Sequence, residues 1–578
     1  MNEANIFQKV KLWKPRHSTH DLSYINKFTL DFGNLVPCYI EPVVPGDKFR
    51  IDTAYFLRFQ PLIAPIMDNV DMYVHYFYVP ERLVWDGFGD WIKGFSVENV
   101  PVPQYLLVQE VNTFHSSQAG QTLGVTHQEV CGKGSLWDML GYPILDENKN
   151  YGNQRVKANR LLAYALIWRE YYRDQNLSDE LDLFNDVNGR LNPGTYVNFL
   201  FMRQRAWEKD YFTSALPWPQ RGADVTLPLT GDAPVLGGAI LEGSQTVKDG
   251  IVPTPDYVKH VVGSGLSSGG NIGYQYNTSD SKYVKTANYP DADAQPLSGD
   301  ELRKISPQSL EGSSGLHADM SQVTAATIND LRKANALQKW FELRARTGNR
   351  LKEFLLGNFG VAPKDLRLDR PQYLGGGKAP VVIADVLQNS ASIVSGDEAS
   401  PQANMAGQGA AFGKSSRIKK FVDEHGYIIG IMSVIPRSSY MNGCPRDLTK
   451  FDQLDYFFPV FQNLGEQEIK NSEIFFSNSL EANEGTFGYT PRYAEYKFHG
   501  NEVHGDLRDD LDFWHLGRKF SDTPVLSQKF VEVRPEERGD DLNRIFAYTG
   551  NDSKRLIVQV AHHVRAIRPM DFYSIPSL

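Results

Sequence analysis

Basic residues give this sequence its clearest capacity for chemistry, the binding of phosphate groups. Residues 331–352 hold seven basic residues against one acid, although the whole chain carries a net charge of −9. With about 3.6 residues per helical turn, four basic side chains fall within a narrow arc and four apolar ones fall opposite. The basic four are Arg332, Lys339, Arg346 and Arg350, and the apolar four are Ala334, Leu337, Phe341 and Ala345. We therefore predict a helix that packs by one face and presents a cationic stripe on the other.

A second basic cluster lies near the N-terminus and includes an aromatic residue. The first 30 residues hold five basic residues against two acidic ones. Among them, Lys9, Lys11, Lys14 and Arg16 surround Trp13, whose ring can stack on an unpaired base. Such clusters bind nucleic-acid phosphates by releasing counterions. The alternative for both clusters is a solvated surface or a set of salt bridges between subunits.

Glycine-rich stretches match phosphate loops and nucleophile elbows only faintly. Residues 373–378 (YLGGGK) lack the required spacing, and Ala379 replaces the hydroxyl that would hold Mg²⁺. In residues 407–415 (GQGAAFGKS) the earlier glycines each miss the required position by one. We interpret both stretches as flexible loops or tight turns. The G-x-S-x-G match at residues 265–269 lies in a Gly/Ser run, where composition alone produces such patterns.

Histidines and paired acids form no recognisable catalytic or metal-binding pattern. His562 and His563 are neighbours on a predicted strand, so their rings point to opposite faces and cannot share a metal. A glycosidase would need a carboxylate pair such as Glu466 and Glu468, but such pairs arise by chance among 69 acidic residues. We therefore predict no catalytic residue, no metal site and no cofactor.

The elements that carry these residues are mainly strands. An aromatic content of 12%, with 48 Gly and 32 Pro, favours strands and turns over helix bundles. Residues 70–79 (VDMYVHYFYV) predict a strand buried on both faces, residues 420–435 predict two strands around a turn, and residues 555–567 predict a strand with one apolar face. Because these strands are far apart in sequence, they favour a Greek-key sandwich or jelly roll.

Two predicted helices and one long insertion interrupt the strands. The helices cover residues 160–173 and 328–357. Residues 222–328 hold 14 Gly, no Phe or Trp, and 12 acidic against six basic residues. This composition predicts a solvent-exposed insertion, with a disordered loop as the alternative.

Cysteine usage and hydropathy indicate a protein made in a cytoplasm. Three cysteines, Cys38, Cys131 and Cys444, are too few and scattered for a disulfide framework, so reduced thiols are expected. The longest apolar run, residues 427–436, is far shorter than a membrane span. We expect a soluble chain that does not insert into membranes.

A series of short phrases, in a fixed order, resembles one known family. The phrases are residues 45–52 (PGDKFRID), 79–85 (VPERLVW), 210–222 (DYFTSALPWPQRG), 325–332 (AATINDLR), 336–340 (ALQKW), 370–377 (RPQYLGGG), 404–407 (NMAG), 424–433 (EHGYIIGIMS), 464–468 (LGEQE), 487–489 (FGY), 491–496 (PRYAEY), 511–515 (LDFWH) and 566–570 (AIRPM). Together they resemble the major capsid proteins of the Microviridae, especially the gokushovirus-like branch. The similarity spans nearly the whole chain outside residues 222–328, where this sequence departs from the family pattern.

The resemblance implies a mainly β fold, namely a single eight-stranded jelly roll of the viral capsid type with long, partly helical insertions. It implies a T = 1 icosahedral shell around circular single-stranded DNA, and a projection near the threefold axis after residue 222. We accordingly divide the chain into an arm and first part of the jelly roll (1–221), a surface insertion (222–328), and a basic helix with the remainder of the jelly roll (329–578).

The expected partners are other copies of the chain, viral single-stranded DNA, other proteins of the same virus, and a host-cell receptor contacted through residues 222–328. The expected location is the virion, with the host bacterial cytoplasm during assembly. Two rival hypotheses are a β-sandwich enzyme that processes carbohydrate and a lectin-like binding module. An enzyme would lose its activity when one carboxylate pair is removed. A lectin would bind sugar as a monomer or dimer.

Overall fold

The structure is a computed structural model. It describes residues 16–93, 101–114, 126–192, 199–221, 370–387, 405–537, 540–548 and 554–573, together with short segments between 235 and 346. The chain divides into two compact units, one formed by residues 1–222 and 341–578 and the other by residues 223–340. The sequence-based predictions for Lys9, Lys11, Trp13, Lys14, Arg350 and residues 265–269 fall outside the described residues.

Two antiparallel sheets form the centre of the first unit. Their strands, in chain order, are β1 (Ser18–Asp21), β2 (Tyr24–Leu30), β3 (Val36–Val43), β4 (Lys48–Phe59), β5 (Val70–Pro80), β6 (Gln372–Pro380), β7 (Val382–Leu387), β8 (Met405–Lys414), β9 (Ile418–Phe421), β10 (Gly426–Pro436) and β11 (Leu556–Arg568). One sheet has seven strands in the order β1-β11-β4-β8-β7, with β2 also paired to β11 and β9 to β4. The other has four strands in the order β6-β5-β10-β3. The prediction of a mainly β chain is confirmed.

The two sheets share a core, and helices cover the second face of the smaller sheet. Leu57 and Val558 of the seven-stranded sheet belong to one cluster with Val74 and Met432 of the four-stranded sheet. On the opposite face of the smaller sheet, Phe77 and Ile429 pack with residues 158–168. Three layers result, and each fully buried large apolar side chain contributes about 1.5–3 kcal/mol. Because β5 lies between two such cores, the prediction of a strand buried on both faces is confirmed.

Side-chain alternation in β11 follows the sequence pattern. The inward residues between Leu556 and Ala566 are buried, and the intervening ones are mostly exposed. His562 is buried and His563 is exposed, so the two rings point to opposite faces, as predicted. The predicted strands in residues 420–435 are β9 and β10, which enter different sheets.

The helical layer and the peripheral loops contain the other elements of the first unit. The helices are Phe88–Lys93, Val108–Thr113, His127–Cys131, Leu136–Met139, Asn159–Ile167, Asn471–Ile474, Leu480–Glu484 and Gln528–Val531, with a π-helical turn at Trp168–Tyr172. The 3-10 helices are Glu81–Leu83, Arg446–Thr449, Gln453–Asp455, Pro459–Phe461, Ala494–Tyr496, Gly505–Arg508, Asp512–Trp514 and Leu542–Ile545. The short strands are Tyr105–Leu107, Arg155–Lys157, Ser439–Tyr440, Glu466–Lys470, Thr486–Pro491, Asn501–Glu502, Glu536–Glu537 and Asp540–Asp541. The helix predicted at 160–173 is therefore confirmed, with its last turn widened to a π-helix.

The second unit contains its own small sheets. Four strands pair in the order Lys282–Lys285, Ile272–Asn277, Tyr257–His260 and Ile251–Pro253, and a further pair joins His317–Ala318 to Val235–Leu236. The helix Ile328–Arg346 confirms the first part of the predicted helix, and residues 347–357 lie outside the described residues.

The glycine-rich stretches correct one sequence-based interpretation. Residues 373–378 and 407–415 were interpreted as flexible loops or tight turns, but nearly all of them lie in β6 and β8. A Cβ atom on Gly413 would lie 2.4 Å from Cε2 of Tyr55, and one on Gly376 would lie 2.2 Å from the carbonyl oxygen of Val74. The glycines thus allow close packing of neighbouring strands and side chains.

Candidate assembly and nucleic-acid surfaces

The basic residues singled out in the sequence occupy exposed positions where the structure describes them. Arg16 is exposed just before β1, and Arg332 and Lys339 are exposed on the helix Ile328–Arg346. Arg346 belongs to the same helix, but its side chain is outside the described set. Since Arg332 and Lys339 are seven positions apart, they lie on one face of the helix. The predicted cationic stripe is thus partly described, and its role in binding DNA stays a prediction.

The opposite face of that helix is less covered than the sequence predicted. Leu337, assigned to the packing face, is 43% exposed, and Phe341 is only half-buried. Leu331, Trp340 and Leu343 are also exposed. The expectation of a well-packed apolar face is therefore wrong for Leu337.

A stretch of exposed apolar side chains is the most prominent surface in residues 405–537. We call residues 448–464 the assembly segment. Eight of its large apolar side chains are exposed, and they are Leu448, Phe451, Leu454, Tyr456, Phe457, Phe458, Val460 and Leu464. Phe451 is 92% exposed and Val460 is 84% exposed. So many exposed large apolar side chains within 17 residues are unusual on a monomer, and such surfaces are typical of protein–protein contacts.

Side chains from a neighbouring loop hold the assembly segment in place. The Phe457 ring meets the Tyr493 ring edge-on, with centroids 4.9 Å apart. The Tyr493 hydroxyl donates a hydrogen bond to the carbonyl oxygen of Tyr456 at 3.3 Å. Lys450 Nζ lies 3.1 Å from Glu495 Oε1. The segment is thus anchored through a few residues while its other side chains face solvent.

A cleft of about 360 Å³ lies beside this segment and contains a buried ion pair. Arg446 Nη1 lies 2.9 Å from Glu473 Oε1, and the Tyr211 hydroxyl donates a hydrogen bond to Glu473 Oε2 at 2.9 Å. Burial raises the pKa of the Glu473 carboxyl, while Arg446 opposes that shift. The Glu473 carboxylate therefore has a cationic partner and a hydrogen-bonding partner within the cleft.

The pair Glu466 and Glu468 lies on the strand Glu466–Lys470, beside the same region. Glu468 is exposed and accepts a hydrogen bond from the Thr486 hydroxyl at 3.2 Å. Within the described part of the chain, no group of three or more His, Cys, Asp or Glu side chains is placed to hold a metal ion. Among the same residues, no helix is long and apolar enough to cross a membrane.

Sequence reasoning found part of the assembly segment and missed the rest. Residues 457–461 (FFPVF) form an aromatic run whose composition fits an interface and a core equally, and the structure exposes most of them. Leu448 and Phe451 lie outside any such run. The sequence alone does not separate these residues from core residues; in the structure they lie on and between short 3-10 helices, which leave most of them exposed.

Comparisons with known proteins identify the family of this chain. A family model described as "Capsid protein (F protein)" matches residues 9–578. The capsid protein VP1 of Chlamydia phage 1 is 31% identical over 613 aligned residues, which cover 99% of this chain and 98% of that protein. The capsid protein VP1 of Bdellovibrio phage phiMH2K is 31% identical, covering 97% and 95%. The capsid protein VP1 of Spiroplasma virus 4 is 30% identical, covering 94% and 92%. The resemblance to microvirus major capsid proteins is thereby confirmed, and this chain belongs to the capsid protein (F protein) family.

Proposed function

We propose that about sixty copies of this chain form a closed T = 1 icosahedral shell around circular single-stranded DNA. Family membership gives the chain a structural role in the virion. The observation that carries the proposal is the assembly segment, with eight exposed large apolar side chains. In a shell, neighbouring copies cover this segment and remove its apolar surface from water.

The fold and the insertion have proposed roles in that shell. The two facing sheets support the jelly-roll interpretation, in which the sandwich forms the wall. Residues 222–328 are proposed to project outward near the threefold axis and to contact a host-cell receptor. Their acidic, glycine-rich composition and their inclusion in a compact unit of their own support this role.

Electron microscopy and mass measurement of particles from infected cells test the shell. Native particles are the right material because assembly can require other proteins of the same virus. We expect uniform icosahedral particles whose mass corresponds to about sixty copies. Material with the mass of a dimer or tetramer would contradict the proposal and favour an enzyme or a lectin-like module.

A shortened chain tests the insertion separately. Replacing residues 222–328 with a short linker should leave the sandwich folded, because surface insertions contribute little closure entropy. Particles of the shortened chain should attach poorly to host cells. Failure of the shortened chain to fold would place the segment in the core and refute the attachment role.

A further inference from the structure

The seven-stranded sheet has one face in the core, and the other face is strongly basic. Along β4, buried residues alternate with outward ones, and four of the six outward residues are charged. Eight cations lie on the outward face, and they are Lys27, Lys48, Arg50, Arg58, Lys414, Arg417, Lys419 and Arg565. The acids on this face of the described strands are Asp21 and Asp52. The face therefore carries +6 in a chain with a net charge of −9.

Three of the cations lie beside one another across neighbouring strands. Strand register places Lys419 opposite Arg50 and Arg50 opposite Arg565, so three cations form one row across β9, β4 and β11. Neighbouring strands are only about 4.8 Å apart, and like charges at that spacing repel. Among the described residues, Lys27, Lys419 and Arg565 form no ion pair within 4.0 Å. Such a row is balanced best by an external polyanion.

One acid serves two of the arginines. Asp52 lies 2.9 Å from Arg417 Nε and 3.5 Å from Arg50 Nε. It therefore fixes the two guanidinium groups without neutralising both. Asp21, opposite Arg565 in register, is the other counter-charge on these strands.

Exposed aromatic rings lie among the cations. Phe412 is 68% exposed and lies opposite Phe56, which is also exposed. The guanidinium of Arg58 lies 5.6 Å from the centre of the Phe56 ring. Phe421 is exposed and lies opposite Lys48. Rings beside cations form stacking platforms for unpaired bases, whereas a duplex keeps its base faces covered.

We propose that this outward face binds single-stranded DNA, with phosphates on the row of Lys419, Arg50 and Arg565 and bases on Phe56 and Phe412. The inference rests on the proposed function in that the bound strand is the viral genome, so the face points to the inside of the shell. Arg16, an exposed cation, lies two residues before β1 at the edge of this sheet.

Photochemical cross-linking in intact particles tests the location without any substitution. Micrographs first establish that shells are present, which tests the proposed function independently. Ultraviolet light then joins bases to adjacent side chains, and mass spectrometry identifies the peptides. We expect nucleotide adducts on residues 48–58 and 410–421. Adducts confined to residues 328–346 or to the N-terminal arm would overturn the inference and leave the shell intact as a proposal.

Charge removal with a matched control tests the electrostatic part. The variant Lys27→Gln, Lys419→Gln, Arg565→Gln removes three outward cations, and Lys133→Gln, Lys149→Gln, Arg155→Gln removes three exposed cations from the helical layer. Binding of each full-length chain to a fluorescent oligothymidylate is measured over a range of salt concentrations. For single strands, each phosphate contact contributes about 0.7 to the slope of log affinity against log salt concentration. The slope should therefore be smaller by about 2 in the first variant and almost unchanged in the control.

Equal salt slopes for the two triple variants would overturn the phosphate contacts. If the first variant does not fold, Phe412→Leu supplies a second test, because it removes a ring and keeps an apolar side chain at an exposed position. That variant should bind the oligothymidylate several-fold more weakly and keep the salt slope. Unchanged affinity of Phe412→Leu would contradict base stacking at this ring.

Discussion

The Nε2 nitrogen of His562 in β11 lies 3.1 Å from the carbonyl oxygen of Cys38 in β3, so one polar contact joins the two sheets through their shared core. Beside it, the Thr53 and Tyr76 hydroxyls are 2.6 Å apart and also bridge the sheets. Burial lowers the pKa of His562 to about 4 from the ordinary 6.5. The imidazole is therefore neutral in the folded chain at neutral pH.

This histidine predicts an acid-sensitive fold. The unfolded chain takes up a proton at His562 below pH 6.5, whereas the folded chain takes it up only near pH 4. The free energy of unfolding is therefore highest above pH 6.5. It falls by about 3 kcal/mol as the pH is lowered toward 4. Urea unfolding from pH 7.5 to 4.5 should show this decline, and His562→Gln should reduce it. His563→Gln, which changes the exposed neighbour, should leave the decline unchanged; an identical profile for both variants would contradict the prediction.

The buried ion pair beside the assembly segment predicts an asymmetric effect of substitution. Arg446→Met leaves the buried Glu473 carboxylate without its cation and should lower the free energy of unfolding by about 3 kcal/mol. Lys149→Met breaks the exposed pair with Asp146 and should change it by less than about 1 kcal/mol. Denaturant midpoints measure both. Similar midpoints for the two variants would show that the Arg446 pair is not structurally important.

The assembly segment predicts a separation of folding from association. Phe451→Ser with Val460→Ser changes two highly exposed side chains, so the unfolding free energy should shift by no more than about 0.5 kcal/mol. Shell yield, counted in micrographs, should fall strongly because apolar contact area is lost between copies. The control Val102→Ser with Ile144→Ser alters exposed residues of the helical layer. A normal shell yield from the Phe451→Ser, Val460→Ser variant would show that the assembly segment does not form contacts between copies.

The strand glycines predict a steric effect. Gly413→Ala would bring Cβ within 2.4 Å of Tyr55 and should destabilise the chain by about 1–3 kcal/mol. Gly89→Ala, where no atom lies within 4 Å, is the matched control. Thermal unfolding of the two variants measures the difference. If Gly413→Ala is as stable as the control, the close approach of β8 to Tyr55 is not required.

Local sequence patterns predicted the strands well, because the sequence of each strand shows which of its faces are buried. Alternation from Leu556 to Ala566 and the unbroken apolar run of β5 follow directly from whether one or both faces are buried. Alternation in β4 carried the same information for Lys48, Arg50 and Arg58, so the basic sheet face could have been found from sequence.

Other features depend on contacts between distant segments and could not be predicted. Glycines 376 and 413 look like loop residues until Val74 and Tyr55 are placed against them. Exposure of Phe451 and Val460 is likewise invisible in sequence, because a core strand and an assembly surface use the same apolar residue types. Which strands pair with β11 also depends on the topology of the sheet rather than on the local sequence pattern.

The position of β11 determines when the larger sheet can be completed during synthesis. It pairs with β1, β2 and β4, and Tyr24 pairs with His562, which is 538 positions later in the chain. At about 5–20 residues per second, a ribosome needs roughly half a minute to two minutes to cover that interval. During this time β2 and β4 lack their common neighbour, and their open edges need protection from other nascent chains. A chain under translation therefore cannot present the finished sheet before β11 has been made.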